Sequence, residues 1–223
     1  MTRPPVLTAT ALVVAVNDAE SEPLDLALVR HTLLQAPPGP VRSALLLACA
    51  GRWAGPQRGQ VELAGTEGER ARVRARRLRE ETAVARIPGL VETEPRLTIA
   101  DAVDERALFE GLSVRAGRRA FTELTERAGV GLDAGTHIGA LAPAERTFVD
   151  LALGLLRPAR ALITDGLGDG LDDRGRAWLR DCVPPMLGPT LLLAGVTDAS
   201  VAPEQAHVIH NGVAPIRQTG KER

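Results

Sequence analysis

Tyrosine is absent from this chain of 223 residues, and lysine occurs once, as Lys221 in the terminal TGKER. Arginine therefore carries nearly all the positive charge, and no site in the body of the chain can use the compact ammonium group of lysine. Cysteine is almost as scarce. Cys49 and Cys182 fall in apolar or helical surroundings, and two such residues in a chain without a signal peptide read as reduced thiols, which fits a cytoplasmic setting. No run approaches the roughly eighteen apolar residues of a spanning helix, and MTRPPVLTATALVVAV lacks a small-residue cleavage region, so the chain reads as mature and soluble. Charge in excess is missing too. With a net charge of −1, neither nucleic acid nor anionic lipid is drawn to the molecule as a whole, and no nucleic-acid partner is expected.

What is present is apolar and periodic. A hydrophobic share of 44% in a chain of this length is enough for one large domain with a proper core. ALVVAV (11–16) reads as a strand, and PLDLALVRHTLL (23–34) as one or two more, with acid-rich NDAESE as the turn between. SALLLACAGRWAG suits a buried helix and GQVELAG a short strand. ERARVRARRLREE, including the run from Arg70 to Arg79, reads as a basic helix with a solvated face. DAVDERALFEGL and RRAFTELTERAG show apolar spacing near 3.6, and AERTFVDLALGLL is a long apolar helix. ARALITDG, TLLLAGVT and HVIHNGV are strands, with the helix GRAWLRDCVPPML between the first two. Strands alternating with helices imply an α/β sheet with a helical insertion.

Three stretches, in order and spacing, resemble the nucleotide-binding subunit of ATP-binding cassette (ABC) transporters. HIGALAPAERTFVDLALGLLRPARALITDGLGDGLDDRGRAWL is similar to that family's signature, following helix, acid-ending strand and turn with a Leu-Asp pair. The resemblance runs from ALVVAV to HVIHNGV. It implies a P-loop NTPase-like sheet core (1–95 and 146–213), a helical signature subdomain (96–145) and a flexible tail (214–223).

The motifs themselves depart from the family at nearly every chemical position. The phosphate-loop pattern G-x-x-G-x-G-K-S/T falls on Ala36, Pro37, Pro38, Gly39, Pro40, Val41, Arg42 and Ser43, with Ala44 following. Such a loop aims successive backbone N–H groups at phosphate oxygens, and the three prolines have none to give. Val41 stands where a glycine's freedom is wanted. Arg42 keeps the charge in a broader, planar form. Charge-assisted bonds contribute about 1.5–3 kcal/mol each, so losing roughly four costs on the order of 6–12 kcal/mol. Micromolar binding is worth only about 8 kcal/mol. No cofactor, or only weak ATP and magnesium, is the expectation.

Carried over residue by residue, the family's magnesium-positioning aspartate is Asp165, but Gly166 replaces the glutamate that activates water. The signature LSGGQ becomes Leu141, Ala142, Pro143, Ala144 and Glu145; Glu145 suits the positive end of its helix yet adds negative charge near an expected phosphate. Gly89 stands at the glutamine, Thr197 at the switch histidine and Val16 at the adenine-stacking aromatic. Leu171 and Asp172 read as turn and interface residues, Ser43 as a helix cap, and Cys49 as core. His31, His137, His207 and His210 show no metal-like clustering, the last two falling on opposite faces of a strand.

The resemblance thus implies a degenerate, catalytically silent ABC subunit kept for assembly with a membrane permease and a second ABC ATPase subunit, as homodimer or heterodimer. Its place would be the cytoplasmic face of the membrane, peripheral. The alternative is a divergent ATP-binding or ATP-hydrolysing subunit with Arg42 in the lysine's role. VETEPRLTIADAV, together with Gly89, Leu90, Val91 and Glu92 at its head, is the segment expected to meet the permease.

Overall fold

The computed structural model describes residues 5–65, 71–203 and 206–215, with backbone alone at 71–72 and 214–215. Its elements are β1 (Leu7–Val16), β2 (Ala19–Ser21), β3 (Leu24–Leu28), β4 (Thr32–Gln35), α1 (Pro40–Cys49), β5 (Gln57–Leu63), α2 (Ala71–Glu81) and β6 (Thr82–Val84). They are followed by α3 (Ile99–Phe109), α4 (Val114–Ala128), α5 (Pro143–Gly154), β7 (Ala161–Asp165), α6 (Asp173–Leu187), β8 (Leu191–Val196), β9 (His207–His210) and β10 (Val213–Pro215).

Two sheets enclose α1. One is parallel, in the order β6-β7-β8-β4-β9; the other is antiparallel, with β10-β2-β1-β3 in line and β5 on the free side of β1. Both faces of the parallel sheet are covered, which is why its central strands are apolar without alternation. Along β7, Ala161 and Ile163 pack toward α1 while Leu162 packs toward the layer of α5 and α6. Leu191 and Leu193 on β8 do the same against Leu192 and Ala194. Asp165, the acid that ends β7, is carried to the C-terminal edge of the sheet, where sites form in open α/β folds.

Helices α3 and α4 form an antiparallel pair that packs on α5 and α6. Thr98 caps α3 reciprocally with Asp101, and Ser113 caps α4, whose apolar face carries Phe121 and Leu124 inward. His31, half-buried, accepts the Leu192 N–H at Nδ1 (3.1 Å), and burial lowers its pKa; His137 lies on the Arg96 carbonyl at 2.9 Å, and His207 and His210 are exposed on β9. Cys49 and Cys182 are buried free thiols, each pushed up to about 12 by burial.

Several expectations need correction. NDAESE is not all turn: Ala19–Ser21 pair with both β1 and β10, a long-range contact that no local pattern announces. The tail begins later than residue 214, because Ala214 and Pro215 pair with Glu20 and Ala19; residues 216–223 lie outside the described residues. The basic helix is not simply a solvated face. Arg74 reaches Glu62 on β5 at 2.5 Å, Arg77 pairs with Glu81 at 3.1 Å, and Arg79 donates to the Gly51 carbonyl at 3.0 Å. Arg70 lies outside the described residues.

Candidate functional site

The phosphate-loop equivalent leaves the C-terminal end of β4 and enters α1. Pro37, Pro38, Gly39 and Pro40 are exposed, and α1 already begins at Pro40, with Gly39 as its N-cap and no side chain capping it. Proline suits the first helical position, where the missing N–H has no intrahelical partner to lose. The residues expected to finish a loop are therefore the first turn of a helix. Val41, Arg42, Ser43 and Ala44 are all buried. Ser43 is not a cap: it sits inside α1, and its Oγ donates to Asp165 Oδ2 at 2.6 Å.

Arg42 turns inward. Its side chain is 1% exposed, and its Nε stands 2.6 Å from Oδ1 of Asp165, itself 1% exposed. Nη2 donates to Asp169 Oδ2 at 2.8 Å, and Nη1 to the Ala36 carbonyl (3.1 Å) and Thr197 Oγ1 (3.3 Å). Asp169 Oδ1 in turn accepts the Thr197 N–H at 3.0 Å. One guanidinium thus joins the loop after β4, the end of β7, the turn after β7 and the loop after β8. Both oxygens of Asp165 are engaged, one by Arg42 and one by Ser43.

Two glycines make this possible. Gly195, beside Asp165 on β8, has no side chain where a Cβ would lie 2.4 Å from Asp165 Oδ1 and 3.2 Å from Arg42 Cδ. Gly166 has φ 75°, the left-handed region that glycine occupies without strain, so the chain turns sharply away after Asp165. It presents no carboxylate at that point.

The signature-equivalent residues stand at the start of α5. Leu141, Ala142 and Pro143 lead into the helix, and the Glu145 carboxylate folds back to accept the Ala142 N–H at 3.0 Å. Leu171 is buried, and Asp172 caps α6 by accepting the Gly175 N–H at 2.7 Å. Val16 is half-buried at the end of β1.

A second feature lies on the side of the helical pair. Gly89 (φ 73°) tips a tight turn closed by Ile87 and Val91. Leu90 on that turn is 67% exposed, and Phe109 at the end of α3 is 80% exposed. They flank a groove of about 360 Å3 lined also by Val91, Glu92, Arg106 and, on its floor, Asp150. Asp150 is 5% exposed on α5 and accepts the Thr93 hydroxyl at 2.7 Å, with Arg86 Nε at 4.0 Å. Burial raises its pKa, with the Thr93 bond and Arg86 pulling the other way.

Comparison with solved structures places the fold. The chain is similar to cbiO1 from Clostridium perfringens, part of the ABC transporter complex cbiONQ, with a TM-score of 0.69 at 15% identity over 95% of this chain and 88% of that one. It is similar to a putative ABC transporter ATP-binding protein from Pyrococcus furiosus (0.67, 16%, 91% and 96%) and to the dimeric structure of MJ0796, a bacterial ABC transporter cassette (0.68, 13%, 95% and 99%). No protein-family model matches the sequence, and no curated protein matches it. The fold is that of the ABC transporter ATP-binding cassette, a P-loop NTPase fold, as the sequence resemblance implied.

Sequence reasoning brought Arg42, Ser43 and Asp165 to one site but missed Asp169 and the inward course of Arg42. The cue was the pair of acids four apart in DGLGDG beside a chain with no lysine to occupy them. Asp150 was missed as well, although a single carboxylate inside FVDLALGLL is the kind of buried charge that calls for a partner.

Two outcomes follow from these geometries. Arg42→Ala leaves the Asp165 carboxylate uncompensated in the core and is expected to cost about 3–5 kcal/mol in denaturant unfolding, with Arg42→Lys losing less because it keeps a charge but not the bonds to both loops. Asp150→Asn keeps an acceptor for Thr93 and removes a carboxylate whose ionisation is disfavoured in the fold. A raised carboxylate supports folding below its ordinary value of 3.8 and loses that support as pH rises through its folded value. The variant should therefore melt higher than the parent at neutral pH. The difference should shrink toward pH 4.

Proposed function

We propose that this chain is a degenerate ABC nucleotide-binding subunit, catalytically silent, that serves as an assembly and docking partner of a membrane permease complex. The observation that carries this is the buried Arg42, whose charge is spent on Asp165 and Asp169. A nucleotide triphosphate with magnesium does not fit the residues present. Pro37, Pro38 and Pro40 offer no N–H, the Asp165 oxygens already have partners, and Gly166 supplies no base. The Glu145 carboxylate at the start of α5 sets a negative charge where the resemblance expects a partner's phosphate. Nucleotide binding is therefore absent or weak. The reading in which Arg42 takes the lysine's role in a divergent ATPase requires that side chain to face outward, and it does not.

The groove beside Leu90 and Phe109 supports the docking half of this reading. The chain has only three phenylalanines, and one of them is 80% exposed beside a groove of mixed apolar and charged lining, as at an interaction surface. Among the described residues no helix is long and apolar enough to cross a membrane, so the chain would sit peripherally at the cytoplasmic face, held by its partner. The solved neighbours include a part of a transporter complex and a dimeric cassette, and a second ABC subunit is the other expected partner.

Calorimetry of the purified chain with ATP and magnesium should give no saturable heat at micromolar nucleotide, and no turnover should be seen; clear binding or hydrolysis would overturn the silent reading. For docking, a photo-crosslinker placed at Leu90 in native membranes should attach to a multi-span membrane protein, and Phe109→Asp should abolish the product without lowering the melting temperature. Recovery of the chain only as a soluble, uncrosslinked species would count against it.

A further inference from the structure

We propose that the Arg42 guanidinium is the resident cation of this site, a tethered substitute that fastens the loops after β4, β7 and β8 in one arrangement with neither metal nor nucleotide required. The inference starts from the same ion cluster as the proposed function but concerns what that cluster does within the isolated chain.

Three features of the geometry carry it. First, the guanidinium is shared among segments: its two terminal nitrogens donate to Ala36, Thr197 and Asp169, and its Nε is ion-paired with Asp165. Its planar fork delivers donors in several directions at once, which an ammonium point charge on a flexible stem does less well. Second, Asp169 is a true bridge, with one oxygen on Arg42 and the other on the Thr197 N–H, so the turn after β7 and the loop after β8 are fixed together. Third, the sheet is hollowed for the side chain, since any Cβ at Gly195 would collide with Asp165 and crowd Arg42.

Competition follows from this arrangement. Asp165, Asp169 and the Ser43 hydroxyl are an all-oxygen set of the kind that hard divalent ions take, and the guanidinium sits among them. A divalent ion and the guanidinium cannot both hold Asp165 Oδ1.

The test uses purified full-length chain with Mn2+ as the probe. Millimolar Mn2+ should leave the melting temperature of the parent unchanged. Arg42→Ala should melt lower and regain several degrees with Mn2+, and Arg42→Ala combined with Asp165→Asn should regain none. Stabilisation of the parent by Mn2+, or an Arg42→Ala protein indifferent to it, would overturn the proposal. Should Arg42→Ala fail to fold, Asp169→Asn decides. It weakens the bridge without uncovering Asp165, and hydrogen exchange should then rise at least tenfold in 166–171 and in 196–199 together; a rise confined to one of the two segments, or none, would refute it. Neither nucleotide nor membrane enters these measurements, so their failure would leave the docking reading standing, and failure of docking would leave this inference intact.

Discussion

The buried ion pair between Arg42 and Asp165 is the constraint on which the arrangement of the C-terminal edge of the sheet depends. Two opposite charges 2.6 Å apart at 1% exposure attract strongly, but removing each from water costs several kcal/mol. Such a pair is tolerable only when the remaining donors and lone pairs are satisfied. Here Asp165 Oδ2, both terminal nitrogens of Arg42 and both oxygens of Asp169 have hydrogen-bond partners, while Arg42 Nε and Asp165 Oδ1 meet as a contact of opposite charges outside hydrogen-bond geometry. A pair of well-packed apolar side chains would hold the core as well or better. What apolar residues would not do is fix the positions of three loops, since packing contacts have no direction and hydrogen bonds do.

That constraint shapes the backbone around it. Gly195 leaves room above Asp165, Gly166 turns the chain out of β7 in the left-handed region, and Pro40 starts α1 early enough to bring Arg42 and Ser43 onto its buried side. The prolines at 37 and 38 stiffen the approach. The three prolines offer no N–H to a phosphate, and all of these residues are compatible with a loop whose contents come from the protein itself. The apparent damage to the motif is therefore consistent with a site rebuilt around an internal cation.

How much of this was legible in the sequence depends on the range of the contact involved. ALITD and TLLLAGV read as buried strands because a parallel sheet covered on both faces needs apolar side chains in both directions, and the structure has them at β7 and β8. Helices α3 and α4 were visible from spacing near 3.6, α5 as a long apolar run, and α6 as the helix between two strands. What was not visible involves partners far apart in the chain. Ala19–Ser21 become a strand through β10, Arg74 finds Glu62 across two elements, and Arg42 finds Asp169 across 127 positions. Ser43 was misread for a related reason: the expected loop length put a helix start there, and proline's fitness for the first helical position moved the start three residues earlier.

The two faces of the molecule are treated in opposite ways, and the contrast bears on function. At the C-terminal edge of the sheet the charged side chains that a ligand would meet, Arg42, Asp165 and Asp169, are already joined to one another. Beside α3 the reverse holds: Leu90 and Phe109 stand in solvent around a groove, and beneath them a carboxylate whose pKa is raised by burial is held by one hydroxyl and a distant guanidinium. Leaving a large aromatic surface in water forgoes the favourable free energy of its burial, on the order of 1.5–3 kcal/mol for a side chain of that size. A chain with five aromatic residues in all has little reason to leave one so exposed unless something covers it. Internal closure at the first face leaves the second as the place where an external partner can still be recognised, which is the pattern expected of a subunit that retains its fold for contact with other proteins.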